Sequence, residues 1–248
     1  MRAGRLGSVD ESAALRGLGG RDLNYDPAGA PEGGRPAGHW HVDGAEIAVG
    51  REPAGAPAAG GPWEMACQLV AGYEFTDGRI LRAAYRPADG LLGRDMLLEG
   101  RFWWLRFYLG VRVTSVTDET REGGGGTERV WGWSYQTLQG HLEQGRLSYE
   151  VIKNLASGRV VFRVSGYSRA APIPSPVVRL GFTLFGRWTQ RRFYRSAQLR
   201  LRALVQAGQR GAPLPRPAVR ADGLAVAPAG AAPARADRLA WRAVHPGR

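Results

Sequence analysis

Between Gly78 and Arg169 apolar and polar positions alternate in short runs that are broken by turn residues. The clearest run is 105–119. There Leu105, Phe107, Leu109, Val111 and Val113 interleave with Arg106, Tyr108, Arg112 and Thr114. A period of two puts the two sets on opposite faces of a strand. Runs 79–85, 96–104, 129–138, 142–155 and 159–169 carry the same chemistry, and 129–138 sets Trp131, Trp133, Tyr135 and Thr137 on one face. The connections are short, as in the Gly123–Gly126 loop and the Ala156-Ser157-Gly158 turn, so consecutive strands pair antiparallel. Upstream, 39–50 has a shorter strand pattern. Residues 62–71 suit a short helix, with Pro62 at its start, Met65, Leu69 and Val70 on one side, and Gly72 as its stop.

At Ser175 the period changes. Ser175 is a suitable N-cap and Pro176 a suitable first helical residue. Val178, Phe182, Phe185, Phe193, Ala197, Leu201 and Leu204 then recur at helical spacing as far as about Val205. Gly181 and Gly186 each weaken such a helix by about 1 kcal/mol relative to Ala, which points to close packing or a kink. The predicted class is α+β: a curved antiparallel sheet of about six or seven strands gripping one long C-terminal helix. Residues 23–205 form one domain. Residues 1–22 and 206–248, rich in Gly, Ala, Pro and Arg, are expected to be disordered tails.

Composition bounds the function only loosely. The chain has 248 residues, room for one domain with tails. It has no apolar window long enough to cross a membrane and no secretory pattern near its start, and its one cysteine, Cys67, rules out an intrachain disulfide. A cytoplasmic protein is expected. The net charge of +12 is placed unevenly: residues 177–205 carry seven Arg and no acid, and 206–248 carry seven Arg and two Asp. The remainder is neutral on balance. Arg187, Arg191, Arg192 and Arg195 are therefore candidates for binding nucleic acid or an anionic membrane surface. A solvated helix face in an Arg-biased chain is the plainer reading, and Lys153 is the only lysine among 34 basic residues. Nucleic acid is disfavoured as a partner because the basic excess lies off the strands and no RNA-binding string is present.

The candidate chemistry is sparse. His141 and Glu143 stand two apart and share a face if both lie in a strand, which would let the carboxylate orient an imidazole base. The alternative is that His141 caps the strand start. His39 and His41 form a second histidine pair, but no cysteine cluster or spaced histidine motif accompanies them, so neither metal nor cofactor is predicted. Cys67 lies in an apolar context, and Ser134, Ser148, Ser165 and Ser168 lack a nucleophile-elbow pattern. No motif assigns a reaction, and a binding protein is preferred to an enzyme. Aromatic density on the strands is the strongest pointer. Trp131, Trp133, Tyr135, Tyr149 and Tyr167 from the sheet, with Phe182 and Phe185 from the helix, are the expected lining of a space for a small hydrophobic or amphipathic ligand.

Several strings resemble a family catalogued only as a domain of unknown function in bacteria and plants. They are GYEF, LLGRDMLLEGRFWWLRFYLGVRVTSVTDETR, RVWGWSYQTLQGHLEQGRLSYEV, GRVVFRVSGYSR and the VVRLGFTLFGRWTQRRFYR helix. The resemblance runs from about Leu23 to Val205 and is weakest through 50–62. In element order that family is similar to the START/Bet v 1-like helix-grip superfamily, whose members carry or transform hydrophobic ligands in a cavity. This implies the fold and a ligand-holding interior, and supplies no catalytic residues to transfer.

Overall fold

A computed structural model describes residues 9–31, 40–102, 105–172, 176–231 and 241–244; the side chains of 102, 105, 176–189, 191 and 241–244 lie outside the description. The sheet is built from β1 (His41–Arg51), β2 (Leu81–Tyr85), β3 (Asp95–Phe102), β4 (Leu105–Gly123), β5 (Gly126–Thr137), β6 (Glu143–Asn154), β7 (Arg159–Ala170), β8 (Ala218–Val219) and β9 (Ala225–Ala227). Their lateral order is β1-β7-β6-β5-β4-β3-β2-β9-β8, with every neighbouring pair antiparallel. A tenth strand, β10 (Trp241–Val244), runs parallel to the start of β4. Nine strands in the main order exceed the six or seven expected, because β8 and β9 come from the presumed C-terminal tail.

Among the described residues three α-helices accompany the sheet: α1 (Glu11–Arg16), α2 (Pro62–Ala71) and α3 (Pro176–Gln209). The expected helix at 62–71 forms, but its end differs in detail. Gly72 keeps right-handed geometry and Tyr73 takes the left-handed position at φ 61. Glu74 N–H then donates to the Leu69 carbonyl at 2.9 Å, closing the helix. A tyrosine is strained there by roughly 1 kcal/mol, and its fully buried ring shows what offsets the strain. Helix α3 passes through Gly181 and Gly186 without a break and buries Phe193, Ala197 and Leu201 at the predicted spacing of four. The N-cap expectation at Ser175 lies outside the described residues. Among the described residues no helix is long and apolar enough to cross a membrane.

Both tails depart from expectation. Helix α1 is capped by Asp10, whose carboxylate accepts from Ala13 N–H at 2.9 Å, and it buries Leu15. Leu15 and Leu18 pack on the outer face of the sheet with Leu97, Tyr108 and Leu224. Disorder before Leu23 and after Val205 is thus wrong over these segments. Low apolar density hid them, since a single buried leucine every few residues is enough when a ready sheet face waits to receive it.

Register explains the two faces. Odd positions of β5 and β6 and even positions of β7 point toward α2 and α3, forming an inner core that includes Trp133, Tyr149, Val151, Phe162 and Val164. The opposite parity forms an outer face carrying Gln136, Arg146, Ser148, Arg163 and Tyr167. A Cβ on Gly145 or Gly166 would run into the carbonyl oxygens of Tyr167 and Arg146 on the adjacent strand. Glycine at these places lets β6 and β7 bend sharply together.

Candidate functional site: the inner face beneath helix α3

The inner face is ordered in rows, one residue per strand. Trp131, Val151, Phe162 and Ile47 are in register, followed by Trp133, Tyr149, Val164 and Ala45, then Tyr135, Leu147, Gly166 and Asp43. The first two rows are bulky and apolar. The third is mixed, and the positions beyond it become small and polar: Gly145, Ser168 and His41 share the next register line, and Glu143 follows.

The bulky rows are packed solid. Phe75 lies 4.7 Å from Tyr149 and 5.4 Å from Phe162 between ring centroids, Tyr73 lies 4.9 Å from Phe75, and Trp133 lies 5.0 Å from Tyr149. The Trp133 indole donates to the Val70 carbonyl at 3.2 Å, and the Tyr73 and Tyr149 hydroxyls meet at 3.4 Å. Burial pushes the phenols of Tyr73, Tyr135 and Tyr149 well up from the ordinary value. Trp133 and Tyr149 are therefore core, with their polar atoms satisfied, and do not line open space. Trp131 is half-buried against the same core at the α2 end.

Tyr167 is a correction. Its parity in β7 places it on the outer face, in a separate cluster with Tyr25 and Trp40. The Tyr25 and Tyr167 hydroxyls lie 3.2 Å apart, and Arg169 stacks over the Trp40 ring at 4.3 Å. The side chains of Phe182, Phe185, Arg187 and Arg191 lie outside the described residues; Arg192 and Arg195 are exposed on α3.

His141 lies outside the strand that carries Glu143, so the two do not share a strand face as expected. His141 sits in the turn before β6, where its Nδ1 accepts from the Glu143 backbone N–H at 2.9 Å. The ring caps the start of the strand. Glu143 itself lies on the inner face at the polar end. It is half-buried, and desolvation, with the Asp43 carboxylate adding to it, pushes its carboxyl up to about 7. Tyr194 of α3 comes down on the same end, its phenol raised by burial and by the charges of Asp43 and Glu143. Leu109, Leu147 and Ala45 beside them are only partly buried. This end thus combines apolar surface, two carboxyls and the phenols of Tyr135 and Tyr194. His41 is exposed and His39 lies outside the described residues. Among the described residues no three His, Cys, Asp or Glu side chains gather as a metal site. Burial pushes the Cys67 thiol far up, which makes it inert as a nucleophile.

The residues that sequence reasoning missed are Asp43, Tyr194 and a buried ion pair at the other end. Lys153 Nζ donates to Glu52 Oε2 at 2.7 Å and to the Ala56 carbonyl at 2.8 Å, with 0% and 1% side-chain exposure for Lys153 and Glu52. Glu52 also accepts from Trp63 N–H at 2.7 Å and Ala58 N–H at 3.0 Å, so it anchors the 53–61 loop and the first turn of α2. Lysine appearing once among 34 basic residues was the available signal.

An open, strongly bent antiparallel sheet with a long C-terminal helix across its concave side is a helix-grip fold. Over residues 24–199 the chain matches the domain of unknown function DUF1990, and it belongs to that family. No curated protein matches it. Among solved structures it is similar to Ara h 8.0201, with 12% identity and a TM-score of 0.36, over 68% of this chain and 99% of that one. It is also similar to a Thalictrum flavum norcoclaurine synthase point mutant in complex with a transition state analogue, with 13% identity and a TM-score of 0.44, over 71% and 99%. Human STARD10 aligns with 12% identity and a TM-score of 0.34, over 91% and 99%.

Proposed function

We propose that the protein binds a small amphipathic molecule on the inner face, between the polar end of strands β1, β5, β6 and β7 and the part of α3 that carries Tyr194. The observation that carries this reading is the change of character along the inner face. Toward α2 the rings of Trp133, Tyr149, Phe75 and Phe162 fill the interior. Beyond Tyr135 the side chains shrink to Gly166, Gly145 and Ser168, and Leu109 and Leu147 keep part of their surface uncovered. An apolar body would gain roughly 25 cal/mol per Å² by covering that surface. Its polar group would share a hydrogen bond or proton with Glu143, whose carboxyl titrates near neutral pH. The same property supports a second reading, acid–base catalysis by Glu143 without His141.

The test is native mass spectrometry of the protein as purified from cells, beside the Leu147→Trp variant, which places an indole in the uncovered space. The wild type should carry an added small-molecule mass and the variant none, at equal folded fraction by circular dichroism. A wild type with no adduct and no thermal shift across amphipathic acids, amines and neutral lipids would overturn the proposal.

A further inference from the structure

The outer face of the sheet holds a cation that the inner site does not use. Ser115, Ser134, Ser148 and Ser165 stand in register across the neighbouring strands β4, β5, β6 and β7. Arg146 lies one row away in β6, and its side chain reaches along the serine row. Its Nη2 donates to Ser134 Oγ at 2.9 Å and to Ser115 Oγ at 3.0 Å. The Ser134 and Ser148 hydroxyls meet at 2.8 Å. On the same face Arg112, Arg121 and Arg163 each hold a carboxylate, that of Asp95 at 2.7 Å, Glu150 at 3.2 Å and Glu46 at 3.0 Å. Among the described residues Arg146 holds none. Its Nε is buried without a partner, and Nη1 has no protein partner either.

Donors here outnumber acceptors. A guanidinium carries five N–H groups and accepts nothing, and each hydroxyl carries one O–H. Arg146 uses only Nη2, and those bonds fall on lone pairs of Ser115 and Ser134. The O–H groups of Ser115 and Ser165 then meet no acceptor among the described residues, and the Ser134–Ser148 pair, sharing one hydrogen bond, leaves a third O–H over. Arg146, Ser115, Ser148 and Ser165 are half-buried, so the row is reachable from solvent while its charge is partly desolvated. Such a charge with spare donors is offset by a group that only accepts and is itself negative. We infer that the serine row with Arg146 is a binding site for a small oxyanion, the phosphate of a monoester or a carboxylate. Arg146 Nη1 and the hydroxyls of Ser115, Ser148 and Ser165 hold it. The site lies on the face opposite the amphipathic site proposed above and stands independently of it.

The test is an NMR titration of the full-length protein with methyl phosphate and, separately, with acetate, each against sodium chloride at equal ionic strength. The readout is the backbone amide shifts of Ser115, Ser148 and Ser165. The expected result is a saturable shift with at least one of the two anions and none with chloride; the anion that saturates tells phosphate from carboxylate. Arg146→Met should abolish saturation. Ser115→Ala combined with Ser148→Ala, which keeps the charge, should weaken binding about tenfold, and this pair decides the matter if Arg146→Met does not fold. Shifts that stay linear for both anions, or that chloride reproduces, would overturn the inference. So would unchanged affinity in the serine double variant or saturation that persists in folded Arg146→Met.

Discussion

Replacing Lys153 by methionine isolates the energetic role of an ion pair whose two side chains are 0% and 1% exposed. Methionine keeps the unbranched stem and removes the charge. Glu52 would retain its two backbone donors, Trp63 N–H and Ala58 N–H, and lose the ammonium at 2.7 Å. Removing one partner of a fully buried pair costs about 3–5 kcal/mol, a large share of the ~5–15 kcal/mol that holds a domain of this kind. The pH dependence follows from the carboxyl. Burial alone raises the pKa of Glu52; the Lys153 hydrogen bond and the two backbone donors outweigh burial and hold it below the ordinary carboxylate range. In the wild type this group stabilises the fold above the unfolded-state pKa, and that contribution is lost as pH falls through the lower folded value. In Lys153→Met burial wins, the folded pKa rises, and stability falls as pH rises from about 4 toward neutrality. The penalty should therefore be several kcal/mol at pH 7 and shrink toward pH 4. Urea unfolding followed by tryptophan fluorescence at pH 4.5, 5.5 and 7 measures it, and amide exchange at Trp63 should quicken because the first turn of α2 loses its anchor. A penalty below about 1 kcal/mol, or one independent of pH, would refute a charged, desolvated Glu52.

Glu143 carries the opposite sign: its folded pKa, about 7, lies above the ordinary value of 4.5, so it favours the folded state below 4.5 and loses that contribution as pH rises to about 7. Glu143→Gln should flatten a slope of up to about 3 kcal/mol across that window, read by chemical denaturation at fixed salt. Phe75→Ala, which opens the centre of the aromatic core, should cost about 3–5 kcal/mol in the same assay. His141→Ala should remove only the strand cap, costing about 1 kcal/mol and leaving any small-molecule adduct in native mass spectra unchanged; loss of the adduct would restore His141 to the site. Tyr167→Phe should likewise leave the adduct in place, because its ring lies on the outer face.

Local periodicity carried most of the fold. The alternation in β4 through β7 and the spacing of Phe193, Ala197 and Leu201 are consequences of backbone geometry acting over a few residues, and they can be read from a string of letters. Parity within one strand was also readable: Trp131, Trp133 and Tyr135 do share the inner face. What parity lacks is an origin shared between strands. Parity within β7 already sets Tyr167 and Phe162, five positions apart, on opposite faces, but only the pairing of Tyr167 with Arg146 and Val42 shows which of the two lies outside. His141 failed for a related reason, because spacing of two implies a common face only once both residues are inside the strand.

Chain order and residue type were enough to specify a bent meander followed by a gripping helix, since each element is stabilised by patterns within itself. Three-dimensional packing settled the rest: which aromatic rings fill the interior, that Asp43, Glu143 and Tyr194 meet from three distant segments, and that Leu224 finds a groove near α1. Those outcomes depend on free energies of burial and charge that arise only when remote surfaces exclude water from one another, and no window of neighbouring residues contains them.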